Sequence, residues 1–209
     1  MSSARKILTV LTLAAGWVLI AASSASATTC PNTEVQVSGM SQGQMESSIT
    51  CLINEERSSF GLHAVQPNGN LRDAALSHSN EMVDQRYFEH TSPQGVTFID
   101  RIEATGYMRG ARSWVVGENL VWGTGPLSTP QSLVTAWMNS PPHRENLLKP
   151  RFSEIGVAAV DGTPEGDLGE AGVTVSSEYG SRAGASKKKS RGKARKARFR
   201  KRHRYKHSK

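Results

Sequence analysis

The sequence predicts an α+β fold. Helical periodicities fill the first two thirds of the chain, strand patterns gather near residues 155–178, and nothing alternates strand with helix in the manner of a Rossmann sheet. Residues 28–41 (TTCPNTEVQVSGMS) read as an irregular polar segment. A helix follows over about Gln42–Phe60, with Met45, Ile49, Leu52, Ile53 and Phe60 on one stripe of a 3.6-residue period, and Gly61 stops it. The turn formers of HAVQPNGN come next, and Asn70 is placed to cap a second helix that turns Leu71, Ala74, Ala75, His78 and Met82 to one side. Thr91–Gly95 reads as a loop. A short helix is expected over Phe98–Thr105, with Phe98, Ile99 and Ile102 inward.

Gly117–Gly125 (GENLVWGTG) reads as loop-rich with an apolar centre. Thr129 and Pro130 suit the N-cap and first position of a helix through Met138, and Pro141 and Pro142 break it. One more helical turn fits His143–Lys149. Ile155–Val160 and Val173–Glu178 read as strands on either side of a turn rich in Gly and Asp.

The two ends differ from this middle. Arg5 and Lys6, the mostly apolar run Ile7–Ala22 and the small-x-small pattern Ala25-Ser26-Ala27 are the three parts of a cleavable export signal, giving a leader over residues 1–27. The run is shorter than the usual span of about 20 apolar residues, which weighs against an uncleaved anchor. Export places Cys30 and Cys51 in an oxidising compartment, where an even pair suggests a disulfide; two free thiols are the alternative, and the spacing is poor ground for a metal site. The formal charge of +8 hides two opposed blocks. Residues 181–209 hold fifteen Lys and Arg and no acid, whereas residues 28–180 carry a net −9. With only Phe199 and Tyr205 as large apolar side chains, the tail cannot bury enough surface to fold alone.

Familiar catalytic signatures are absent from the sequence: no G-x-S-x-G elbow, no H-E-x-x-H helix, no Walker A loop and no C-x-x-C. Three residues suggest a shared site. His90 lies in the loop YFEHTSP, His143 follows the Pro-Pro break in SPPHRENLL, and Glu118 lies in GENL. Two imidazoles and a carboxylate are the ligand set of an open zinc-type site, although each alone also reads as an ordinary surface or capping residue. His78 falls on the apolar face of its helix and reads as a packed, hydrogen-bonded core histidine. His63, His203 and His207 carry no signal.

Taken in order, LINEERSSFGL (52–62), LRDAALSHSNEM (71–82), FEHTSP (88–93), GENL (117–120), AWMNSPPHRENLL (136–148), EIGVAAV (154–160) and VSSEYG (175–180) make the chain resemble the CAP superfamily, the cysteine-rich secretory, antigen 5 and pathogenesis-related class one proteins, and its short bacterial branch above all. The resemblance covers roughly Met45–Gly180, so that the domain spans 42–180 and the basic tail 181–209. It implies a three-layer α-β-α sandwich with an open cleft that commonly holds two histidines and two glutamates. His90 and His143 match the histidines and Glu118 the first glutamate. The second glutamate, three residues past the helix tryptophan, falls here on Ser140, so a hydroxyl replaces a carboxylate.

Two functions compete for the cleft. One is a secreted binding module for a lipid, glycan or wall ligand, in keeping with family members described as sterol or lipid binders. The other is a metal-assisted hydrolase, in which His90 and His143 hold a divalent, zinc-like cation and Glu118 orients or deprotonates its water. The tail is a third matter. Its charge suits an anionic wall polymer or an acidic lipid surface, and two aromatics are too few to favour nucleic acid.

Overall fold

The computed structural model describes residues 30–184, so the segment read as a leader and the chain beyond Gly184 lie outside it. Ser41 opens the first helix, α1 (Gln42–Ser59), through a capping box in which its hydroxyl accepts from the Gln44 N–H and the Gln44 side chain accepts from the Ser41 N–H. Met45, Ile49, Leu52 and Ile53 are buried as the period requires. Phe60 is not: it caps the helix, 49% exposed, under the Arg144 guanidinium at 5.2 Å. Gly61 turns the chain away at φ 69°, a conformation open to Gly at no steric cost.

The second helix, α2 (Gly69–Gln85), is capped two residues earlier than expected. Asn68, not Asn70, accepts from the N–H groups of Asn70 and Leu71. Asn70 instead sends its side-chain amide to the Thr105 carbonyl and ties α2 to the end of α3 (Phe98–Ala104). Ile102 of α3 is fully buried, but Ile99 is 36% exposed, so the short helix turns in a narrower face than expected. α4 (Pro130–Asn139) starts as predicted, the Thr129 hydroxyl accepting from the Ser132 N–H. Pro141 and Pro142 do not merely break the chain. They occupy the first positions of α5 (Pro141–Leu147), where no backbone donor is needed.

Four strands form one sheet in the order β1-β3-β4-β2. β1 (Gln66–Pro67) pairs parallel to β3 (Glu154–Asp161), while β4 (Gly172–Ala183) runs antiparallel to both β3 and β2 (Ser113–Thr124). The segment read as a glycine-rich loop is therefore most of β2, paired with β4 along its whole length. β4 also runs three residues past Gly180, where the family motifs end. Arg182 is held there by a 2.7 Å bond to the Tyr107 carbonyl, a ring contact at 4.5 Å with Tyr107, and Glu154 at 3.4 Å.

Strand alternation sorts the side chains into the expected three layers. On one face Ile155, Val157, Ala159, Val173, Val175 and Tyr179 meet Met45, Ile49 and Ile53 of α1, Leu133 and Trp137 of α4, and Leu147 of α5. On the other, Leu71 and Ala74 of α2 pack with Ile102 and Tyr107. Buried Arg57 pins the first layer together. It donates to the carbonyls of His63, Leu147, Lys149 and Phe152 at 2.8–3.1 Å, binding the end of α5 to α1. The Cys30–Cys51 disulfide forms, with Cα atoms 5.7 Å apart, and ties the N-terminal segment to α1. Among the described residues no helix is long and apolar enough to cross a membrane.

Candidate functional site

The site lies on edge strand β2, where two consecutive residues point to opposite faces. Glu118 projects toward α2 and α3, and Asn119 toward α4 and α5. Asn119 donates to the His143 carbonyl at 2.9 Å and accepts from Asn146 at 3.2 Å, and Asn146 also donates to the Glu118 carbonyl at 3.1 Å. On the same layer Trp137 donates its indole N–H to the Leu120 carbonyl at 2.9 Å. The strand thus carries His90 contacts on one side and the His143 turn on the other. Gly117 admits this packing: a Cβ there would stand 2.9 Å from Phe152 and 3.0 Å from Asn146.

Glu118 is the hub. Its side chain is 1% exposed, yet His90 Nδ1 donates to Oε1 at 2.7 Å and Arg101 Nη2 to Oε2 at 2.7 Å. Burial alone would push this carboxyl up. The His90 hydrogen bond, the neighbouring Glu178 carboxyl and the Arg101 charge outweigh that and hold it below the usual carboxylate range. The same hydrogen bond raises the His90 imidazole, whose side chain is 52% exposed. His143, half-buried, is lowered first by burial and then by the His90 charge.

Sequence reasoning passed over three members. Arg101, buried on α3, also donates to the carbonyls of Val96 and His90 at 3.1 and 3.0 Å, so one guanidinium fixes both the carboxylate and the loop that carries His90. Glu178 of β4 stands directly opposite Glu118 and is fully buried. His78 is the core histidine expected, bonded to the Glu89 carbonyl at 3.0 Å, but its Nε2 also lies 4.0 Å from Glu118. Its other nitrogen faces the Tyr87 hydroxyl at 3.4 Å, and burial lowers its pKa, so the ring is the neutral Nε2–H tautomer. A charged residue at an inward strand position, as in VSSEYG, was the one available signal for Glu178; Arg101 carried none.

Ser140 stands at the α4–α5 junction, three residues before His143, and caps α5 without a side-chain hydrogen bond. Among the described residues, the one trio of His, Cys or acidic ligand atoms within 4.8 Å of one another is Cys30, Cys51 and Glu55, whose sulfurs are bridged. Neither His90 nor His143 belongs to such a trio. Glu118 is engaged elsewhere, and an open zinc site ordinarily has three protein ligands. A zinc-like ion there would rest on His90 and His143 and take its other ligands from solvent or a bound molecule.

An α-β-α sandwich with this pair of histidines beside a strand glutamate has the architecture of CAP domains. A sequence model of the CAP cysteine-rich secretory protein family matches residues 51–179, and the chain belongs to that family. It is similar to YkwD of Bacillus subtilis (strain 168), 36% identical over 116 residues, and to the membrane protein YlbC of the same organism, 30% identical over 118. Those stretches are 56% of this chain but 42% and 32% of the relatives, so the chain spans less than half the length of either. Among solved structures it is similar to an extracellular protein containing an SCP domain from Bacillus anthracis, with TM-score 0.52, 27% identity, and 66% of this chain and 40% of that one covered. An outer surface protein of Borrelia burgdorferi shares the fold, with TM-score 0.55 at 22% identity over 69% of this chain and 97% of that one.

Proposed function

We propose that the protein is an exported binding module: its cleft takes a lipid, glycan or wall ligand, and its basic tail keeps it at an anionic envelope surface. The observation that carries this reading is the state of Glu118. Both of its oxygens are taken, one by His90 and one by Arg101. A carboxylate held in that way braces the cleft and is poorly placed to accept a proton from water. The hydrolytic alternative needs such a base, and the position where the family carries a second one is Ser140. Export is supported by the leader-like start of the sequence, by a disulfide of the kind that persists in oxidising compartments, and by the extracellular Bacillus anthracis relative.

Thermal shift with the mature chain tests the cleft. Phosphatidylglycerol vesicles and soluble wall-glycan fragments serve as probes, each with and without chelator. Binding to the native state raises the melting temperature in proportion to the logarithm of ligand concentration. One probe class is expected to stabilise the protein whether or not chelator is present. Chelator-sensitive ester or amide hydrolysis, with no shift from either class, would sink the binding reading in favour of the enzyme.

A further inference from the structure

Glu118 and Glu178 occupy directly opposed positions on β2 and β4, on the face covered by α2 and α3. Opposed side chains of an antiparallel pair project to the same side, with Cβ atoms about 4.5–5.5 Å apart. Both are buried, at 4% and 0% exposure. The charged and titratable groups facing the pair are few. α3 contributes Arg101, α2 contributes the neutral His78, and the α2–α3 connection contributes His90 and, behind His78, the Tyr87 hydroxyl, while β3 sets only Gly156 opposite Glu178. Arg101 and His90 both direct their hydrogen bonds to Glu118. Among the described residues, no donor reaches either oxygen of Glu178.

An ionised Glu178 would thus be a second buried charge with no donor, set beside a first carboxylate. That arrangement carries a heavy desolvation penalty, and like charges so close do not both ionise. A single proton removes both difficulties, because a neutral Glu178 can donate its O–H to Glu118. We propose that Glu178 is the proton-bearing partner of Glu118 and acts as a positioning residue, its O–H holding the Glu118 carboxylate in the orientation that grips His90. The second carboxyl of the cleft then comes from β4, not from the α4–α5 junction where Ser140 stands. This holds whatever fills the cleft, so it stands or falls apart from the binding reading.

The pH dependence has a definite sign. Burial, and then the Glu118 charge, push the Glu178 carboxyl well above its usual value. The folded state keeps a proton that the unfolded chain has already lost. The stability this contributes is complete below the ordinary glutamate pKa of about 4.3 and is lost as pH rises through the folded value. Between those limits one such proton lowers the folding equilibrium constant by up to about tenfold per pH unit.

Infrared spectra and pH-resolved denaturation of the full mature chain, with the variants Glu178→Gln and Glu178→Leu, test this. At neutral pH the wild type is expected to show the C=O stretch of a protonated carboxyl, and both variants to lack it. Stability should fall more steeply with rising pH in the wild type than in Glu178→Gln. The amide of Glu178→Gln still donates to Glu118, so the low-field NMR signal of the His90 Nδ1 proton should persist there and weaken or vanish in Glu178→Leu. If the leucine variant does not fold, the spectrum of the wild type and the glutamine comparison still decide. A wild type without the protonated band, a band that survives in Glu178→Gln, or equal pH slopes for the two would overturn the assignment.

Discussion

Arg101 shows how much one side chain can organise. Its Nη1 holds the Val96 carbonyl, and its Nη2 holds both the His90 carbonyl and Glu118. Removing it strands a buried carboxylate and frees the loop that presents His90. Arg101→Met is therefore expected to cost about 3–5 kcal/mol, the usual result of breaking a buried ion pair from one side. Arg101→Lys should recover little, since a point charge cannot make the forked contacts. Urea denaturation measures both, and a loss under about 1 kcal/mol for the methionine variant would mean that solvent reaches Glu118. The site was legible in the sequence only in part, and the reason is physical. His90, Glu118 and His143 sit in short runs whose turn residues and neighbours resemble a family. Arg101 and Glu178 enter the site only because α3 and β4 fold against β2. Nothing local to FIDRIEA distinguishes Arg101 from a solvated helix charge, and the strand position of Glu178 in VSSEYG hints at burial without naming its partner.

At the scale of elements, helices were legible and the edge strand was not. The α1 stripe as far as Ile53, the Thr129-Pro130 start and the stop at Gly61 are local signals, and each is matched in the structure. The glycines of GENLVWGTG obscured β2, because glycine weakens a strand considered alone. Here they make room for close packing. A Cβ on Gly123 would meet the Leu127 carbonyl oxygen at 2.3 Å, and Gly117 faces Phe152 and Asn146. Twelve paired positions with β4 then supply what local propensity lacks. Gly156 on β3 meets the same demand from the other side of the sheet. A Cβ there would lie 2.0 Å from the Arg72 nitrogen and 2.2 Å from the Leu71 carbonyl carbon, both backbone atoms of α2. No rotamer change relieves such a clash, so α2 would have to lift off the sheet. Gly156→Ala is expected to cost about 3 kcal/mol, at the upper end of ordinary overpacking. His78, carried by α2, should move with it, and the His78 ring resonances would report the shift. An alanine variant as stable as the wild type would show that α2 slides freely on β3.

For the whole molecule, the governing fact is the separation of charge. Residues 28–180 carry a net −9, and with Arg182 built into β4, residues 185–209 still hold fourteen Lys and Arg. An anionic surface attracts the tail and repels the domain. The described chain ends just after β4, and Glu178 lies five residues before the last residue of that strand, Ala183. At about 3.3 Å per residue the tail therefore departs roughly 17 Å along the strand from the heart of the cleft. A tail bound to a wall polymer or an acidic bilayer would keep that end of the sheet, and the cleft with it, toward the surface. Binding of this kind draws on release of condensed counterions, so the logarithm of affinity should fall linearly with the logarithm of salt, with a slope set by the number of charges engaged. Changing seven of the fourteen tail cations to Gln should cut that slope by about half, with the melting temperature of the folded unit unchanged. Cosedimentation of the mature chain with phosphatidylglycerol vesicles across a salt series measures it. If truncation after Gly184 leaves retention and its salt slope as they were, the tail is not the tether, and the surface contact must be sought on the folded domain.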